Sequence, residues 1–546
     1  MGKKYFWKGF LFFAVIIFLR VAIATEPVSA IAASNTEEPA ATALPTPVVD
    51  GKFEKFTDGD AVWTYNQETK CLVISGQGKI SVYGSDESMG DVDPDWYPWD
   101  TYHKHCYRPN YAGEVKKIVI EPGITSINAG AFHEYQSLKT VEIADTVTTL
   151  EEYAFFRCKA LKNVSLGNGI REISEGAFFG CSTLAEFTIG KNVEKIGKEA
   201  FFYCLSLKEL KLDPENTSLL LESGILYDSQ KTILYFCPVG IKSVKIPKSV
   251  QNIAAGAFSY CKQLKKISFA KGSKCTWIGQ NAFYGCEKLQ GMSLPDSVQY
   301  VGDYAFYECK SLQQISLGRS FVGFTRADTP EKAKKSYIAP AQDIFVSGFS
   351  HGKIKKYQVS KSNPRYVSRD GVLYNKDKTK LLCYPQEKKK KIVKIPDSVQ
   401  VIQKDTFLYN RHIKQVIMPQ SLKKIGFDAF GFCTKLKTVT ICGNQVEIGS
   451  YAFRGCRALS KVDLGKSVRE IKKAAFYSTK FKEIYIPASV TKIGKDALGK
   501  GSDETRLPGG TMRYTERVVT GFKIYGKKGS AAERYAKKNG FDFVAR

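Results

Sequence analysis

Two residues recur along this chain at a fixed distance. Phe155 and Cys158 are followed by Phe178 and Cys181, 23 positions on in each case. The same step joins Phe132, Phe155, Phe178 and Phe201, then Phe283 and Phe306, then Phe407, Phe430, Phe453 and Phe476. Phe258 stands 25 before Phe283, and Leu498 takes the aromatic's place 22 after Phe476. Ala precedes every one of these residues except Phe407, which follows Thr406. A unit this short cannot bury its own apolar face, so the chain must stack its units one on another.

Each unit reads in two parts. The first is a short strand, as in Leu312-x-x-Ile315-x-Leu317, whose alternation sends Ile315 and Leu317 inward and Gln314 and Ser316 outward. Pro or Gly ends it (Pro247, Pro295, Gly318, Pro396, Pro419, Pro487). The second part, as in Val298-Gln-Tyr-Val301-Gly-Asp-Tyr-Ala305-Phe306, turns the chain back and drives the aromatic beneath the sheet. Twenty-three residues leave little room for a helix, so short strands, 3₁₀ turns and loops are expected on the convex side. Fifteen strand rungs fall between Val115 and Ile486, which at ~4.8 Å per rung gives an arc of roughly 70 Å. The expectation is a β-rich leucine-rich repeat solenoid with a curved parallel sheet.

The segments "LKKISF", "IPDSVQVI" and "IGQNAFYGC" resemble the BspA-type (treponemal-type) leucine-rich-repeat surface proteins over 115–500. The resemblance implies a β-rich N-terminal cap at 51–114, carrying Trp63-Thr-Tyr, "LVISGQG" and Pro98-Trp99. It also implies a small α/β C-terminal cap at 501–546, with a strand, a helix from Ser530 and a last strand. Within the array, 216–238 and 363–385 match each other across an offset of 147, and each reads as an inserted β-hairpin. Residues 319–350 carry no repeat pattern and read as an irregular loop.

The first 30 residues read as a secretory signal. Lys3, Lys4 and Lys8 precede the apolar run Phe10 to Leu19, and small residues follow at Ala22-Ile23-Ala24 and Val28-Ser29-Ala30. The mature chain is then expected to begin between Thr25 and Ser34, and the Ala/Thr/Pro-rich stretch 31–50 reads as a flexible linker. No second apolar run reaches membrane length, so no transmembrane anchor is expected after cleavage. A secreted or peripherally surface-associated protein is the expectation.

Fourteen cysteines in an exported chain suggest disulfides. Yet eight of them (Cys158, Cys181, Cys204, Cys261, Cys286, Cys309, Cys433, Cys456) occupy one repeat position, filled elsewhere by Tyr135, Asn410 and Thr479. A covalent partner is not exchanged for Asn, whereas a small buried packing residue is. Cys71 with Cys106, both in the N-terminal cap, is the most plausible disulfide. His103, His105 and Cys106 are too tightly spaced for an ordinary zinc site. The acidic run Asp86, Glu87, Asp91, Asp93, Asp95 places Trp96 where a calcium loop needs Gly. Neither a phosphate loop nor H-E-x-x-H occurs. No metal, cofactor or catalytic residue is therefore expected.

What remains is surface. The outward strand positions include Lys117, Lys211, Lys245, Lys266, Lys394 and Lys461 against Glu142, Glu186, Glu209, Asp463 and Glu483, with Tyr485 as their one aromatic. That face is close to neutral, so the net charge of +27 lies elsewhere. Lys fills the second position of the strand unit in eleven of fifteen rungs: Lys116, Lys139, Lys162, Lys208, Lys242, Lys265, Lys355, Lys391, Lys414, Lys437 and Lys482. Ala185, Gln290, Gln313 and Ser460 are the exceptions. Stacking aligns these lysines along one sheet edge, where neighbours ~5 Å apart in water repel by roughly 0.8 kcal/mol, less with salt. Such a row either covers the apolar rim with its stems or engages an anionic surface polymer. The resemblance implies an adhesin-like protein that binds host or matrix protein or glycan, with no specific nucleic-acid contact. The alternative is an envelope enzyme or carbohydrate-processing factor with its site in the cap or in 319–350.

Overall fold

The computed structural model describes residues 48–50, 52–80, 110–327, 329–335, 353–466, 468–506 and 512–546. The array is a parallel β-solenoid with two walls. In the first wall Lys117–Ile120, Thr140–Ile143 and Asn163–Ser165 pair in parallel, with Lys117 opposite Thr140 and Thr140 opposite Asn163. The pairing step is therefore one repeat, which is why the sequence period and the strand register agree. Side chains alternate as expected: in Glu186–Ile189 the first and third residues are exposed and the second and fourth buried. The second wall is finer. Two-residue strands such as Thr149–Leu150, Glu172–Ile173 and Lys195–Ile196 also pair in parallel, so the expected single sheet is accompanied by a second.

Between the walls the repeat aromatics stack. Phe132, Phe155, Phe178 and Phe201 have successive ring centroids 5.3, 5.5 and 5.9 Å apart, and Phe407, Phe430, Phe453 and Phe476 continue at 4.5, 5.0 and 5.0 Å. All are buried. The turn that delivers each ring is not helical. It carries a left-handed residue two positions before the Phe and another two after, as at Tyr153 (φ 57°) and Arg157 (φ 55°), or Glu199 (φ 56°) and Tyr203 (φ 63°). The turns then bond to one another across rungs: the Phe155 N–H donates to the Ala177 carbonyl at 2.8 Å and Phe178 to Ala200 at 2.9 Å. Backbone groups that a helix would satisfy internally are satisfied by the next repeat.

Both ends are closed. Phe53–Asp58, Ala61–Asn66 and Cys71–Gly76 form an antiparallel meander whose last strand pairs in parallel with Lys117–Ile120. Trp63 covers the first ring of the stack, its centroid 5.6 Å from that of Phe132. Val48–Asp50 already pairs with Phe53–Asp58, so this cap begins before 51. At the other end Lys523–Gly526 extends the first wall beside Glu483–Ile486 and is followed by the helix Ala531–Asn539 and the strand Asp542–Ala545. Tyr535 ties that helix to the array, its hydroxyl donating to the Leu498 carbonyl and accepting from the Leu498 N–H, both at 3.0 Å. A hairpin of Lys500–Arg506 and Met512–Val518, which carries no repeat signature, stands before it.

The two inserts have a definite job. Each is a three-stranded meander, Leu219–Glu222, Ile225–Asp228 and Ile233–Phe236, or Tyr366–Arg369, Val372–Asn375 and Lys380–Cys383. The third strand of each joins the second wall, beside Asn252–Ile253 or Val401–Ile402. The first wall is interrupted there, and the buried core divides into three clusters that meet at the meanders. Leu226 and Phe236 face the first cluster while Tyr227 and Leu234 face the second. The described part of 319–350 is less irregular than expected. Gly323–Thr325 pairs with Tyr300–Gly302 as a further rung, and Phe321 and Phe324 enter the core. The short helix Pro330–Lys335 then lays Ala333 against Trp277 and Tyr300. Residues 328 and 336–352 lie outside the described residues, as does the expected signal and most of the linker.

Candidate binding surfaces

The basic row is where the stacking expects it. Most ridge lysines follow a buried apolar side chain, such as Leu138, Leu161, Leu264 or Leu436, while Lys242 follows the half-buried Ile241 and Lys391 follows the exposed Lys390. The row stands where the chain enters the first wall. Backbone bonds tie the row together. The N–H of Lys139 donates to the carbonyl of Lys116 at 2.8 Å, Lys162 to Lys139 at 2.9 Å, Lys265 to Lys242 at 2.8 Å, Lys414 to Lys391 at 2.7 Å and Lys437 to Lys414 at 2.8 Å. All eleven side chains are exposed, as are the exceptions Ala185, Gln290, Gln313 and Ser460. The array supplies one member that the repeat count missed. The register that sets Cys71 opposite Lys117 puts Lys70 beside Lys116, and the Lys116 N–H donates to the Lys70 carbonyl at 2.8 Å. The sequence signal was the cap strand, had it been read as a rung.

The electrostatics separate this edge from its surroundings. On the outward face of the first wall, Lys117 pairs with Glu142 at 2.8 Å and Lys211 with Glu186 at 2.7 Å, each across one rung. On the second wall, Arg171 pairs with Glu194, and Glu447 is shared by Lys424 and Lys472, which hold its carboxyl below the usual range against the effect of burial. Among the described residues none of the eleven ridge lysines has a carboxylate partner. Lys70 does, in Glu114 at 2.5 Å.

The outward face of the first wall is polar and largely self-satisfied. The Ser316 hydroxyl donates to the Gln358 side-chain carbonyl at 3.0 Å, and Gln314 donates to the same oxygen. One region differs. Tyr485 is 50% exposed, and the added strand Lys523–Gly526 sets Tyr525 directly beside it in register. The Tyr525 hydroxyl donates to Glu483 at 3.1 Å, and the Arg546 guanidinium lies 4.1 Å from the Tyr525 ring centroid. Val544, 38% exposed, follows on the next strand. Tyr485 is thus not alone, as the sequence suggested, because its neighbour comes from the cap and not from the repeat.

The groups with chemical potential are spent on structure. The eight repeat thiols are buried and form no disulfide with one another. Burial pushes the Cys181, Cys204, Cys286, Cys309 and Cys456 thiols up, which removes nucleophilic character. His133 shares a hydrogen bond with the Gly130 carbonyl, and His412 lies 3.3 Å from Glu387. No group of three or more metal-ligating side chains occurs among the described residues. His103, His105, Cys106, His351 and the acidic run from Asp86 lie outside the described residues, and so does the pairing expected between Cys71 and Cys106. Nor does any described helix have the length and apolarity to cross a membrane.

Compared with known proteins, the chain matches the family model described as BspA type leucine rich repeat region in six copies, over residues 107–233, 230–325 and 383–502. No curated protein sequence matches it. Among solved structures, a leucine-rich repeat protein from Eubacterium ventriosum ATCC 27560 is 18% identical with a TM-score of 0.38, covering 81% of this chain and 92% of its own. The pneumococcal vaccine antigen PcpA is 16% identical with a TM-score of 0.36, over 92% and 98%. A leucine-rich repeat protein from Bacteroides ovatus ATCC 8483 is 18% identical with a TM-score of 0.36, over 90% and 99%.

Proposed function

We propose, on the premise that this chain belongs to the BspA-type leucine-rich-repeat family, that it is an exported, adhesin-like binding protein whose first wall docks a protein or glycan at the cell surface. The observation that carries the reading is the pair Tyr485 and Tyr525, two adjacent aromatic rings on a mainly polar face. An aromatic ring half in water contributes little to the core, while Tyr is among the residue types enriched at the energetic centre of interfaces. The flanking Arg546 and Val544 add the charged and apolar contacts of such a centre. Catalysis has no comparable support, since the buried thiols and the two described histidines serve the framework.

The test has two arms. Protease added to intact cells is expected to remove the protein, placing it outside. The purified mature chain is expected to bind immobilised matrix proteins or glycans saturably, and the double variant Tyr485→Ala/Tyr525→Ala to weaken that binding tenfold or more with unchanged melting. Equal binding by variant and parent overturns the docking site, and protection from protease overturns export.

A further inference from the structure

The edge marked by the ridge lysines is richer in charge than the ridge alone. The five residues that end at the ridge position of each of the fifteen rungs hold 23 Lys or Arg against three acids. That is an excess of 20, out of +27 for the whole chain, confined to one edge of the first wall. The three acids are already engaged: Glu114 with Lys70, Glu287 with Lys262 and Lys310, and Glu387 with His412. Elsewhere several cations pair across rungs, as Lys117 with Glu142, Arg171 with Glu194, Lys211 with Glu186 and Lys492 with Glu470, yet at the ridge position no lysine stands beside a carboxylate among the described residues. A solvated rim would not need that exclusion, because Glu and Gln stems cover apolar surface as well as Lys stems do.

We propose that this edge is a binding site for a linear acidic polysaccharide, one carrying about one sulfate or carboxylate per sugar residue. The backbone ladder fixes the lysines one rung apart, ~4.8 Å along the edge, which is close to the length of one sugar ring in an extended chain. An extended polyol-phosphate wall polymer spaces its charges more widely and leaves intervening lysines unmatched. The edge holds 21 Lys and two Arg. Lys offers a compact point charge without the planar fork of Arg, so the site reads charge density along a flexible chain and not the shape of one group. The polymer would displace counterions gathered along the row and relieve its self-repulsion. The proposal rests on the reading of an exported binding protein, since such polymers are met outside the cell, but it uses a different surface from Tyr485.

The probe is heparin, and the measurement is the salt dependence of its affinity for the full mature chain. Two variants with the same loss of charge are compared. One is Lys116→Gln/Lys139→Gln/Lys162→Gln/Lys208→Gln on the edge. The other is Lys195→Gln/Lys245→Gln/Lys274→Gln/Lys394→Gln, four lysines that are exposed elsewhere. The edge variant is expected to lose affinity tenfold or more and to lower the log–log salt slope by about three, by analogy with counterion release. The second variant should lose less than threefold, and both should melt like the parent. Equal losses in the two variants, or no heparin binding by the parent, overturn the site while leaving the Tyr485 test untouched. Tighter binding of double-stranded DNA or of a phosphodiester wall polymer than of heparin overturns the assignment to acidic polysaccharide.

Discussion

The thiol of Cys181 lies 3.3 Å from the carbonyl of Phe155, one rung back, and the same contact recurs at Cys158, Cys204, Cys286, Cys309, Cys433 and Cys456 at 3.1–3.3 Å. At two of the three positions where Cys is replaced, a short donor is kept. Asn410 donates to the carbonyls of Pro385 and Gln386, and Thr479 to that of Phe476. Within the array the slot therefore favours a small side chain with a hydrogen to give, while Tyr135 fills it in the first repeat, next to the cap. Cys181→Ala is expected to cost about 1 kcal/mol for a small cavity and one weak hydrogen bond, and Phe178→Ala about 3–5 kcal/mol for a ring taken out of the stack. Denaturant melts measure both. Without reductant, the eight repeat thiols should react with a maleimide only after denaturation. Oxidised thiols in freshly isolated protein would contradict the ladder.

At the scale of elements, the meanders decide how far a perturbation travels. A repeat array is stabilised by each unit and its neighbours, so damage decays along the stack. Here the first wall is also broken at each meander, and few bonds bridge the gap, among them that from the Val239 N–H to the Leu207 carbonyl at 3.1 Å. Leu226 is buried in the first cluster alone. Leu226→Ala is expected to cost 2–5 kcal/mol locally. Amide exchange should accelerate between residues 110 and 236, with the block from 392 onward unchanged within error. Uniform acceleration over all three clusters would show that the meanders couple the blocks instead of insulating them.

The whole molecule carries a consequence of its many buried weak acids. Burial pushes Cys275 from 9.0 up to about 12, and Tyr227, Tyr307, Tyr451 and Tyr535 from 10.0 up to about 12. Below about pH 9 folded and unfolded chains hold these protons alike, and stability does not depend on them. Above it the unfolded chain releases protons that the folded chain retains. The slope of stability with pH is then negative, up to about 1.4 kcal/mol per pH unit for each such group. The denaturation midpoint, followed in reductant, should be flat from pH 7 to 8.5 and fall steeply between about 9 and 12. A flat profile through pH 11 would mean that these groups are wetter than their burial implies.

The sequence by itself determined the solenoid, its direction of stacking and the faces of its strands. A 23-residue period in Phe and Cys, combined with two-residue alternation, leaves a parallel stack as the arrangement that buries every ring. It also determined the lysine row, because a fixed repeat position becomes a fixed line in space. What it left open are the features that depend on contacts between residues unrelated by the period. The second wall, the donor role of the Cys slot, the meanders as joints and the rung within 319–327 all arise from how one turn meets the next. The placements of Lys70 beside Lys116 and of Tyr525 beside Tyr485 have the same origin. Both come from caps whose sequences do not repeat, and a strand reveals which rung it extends only when its backbone finds a ladder to join.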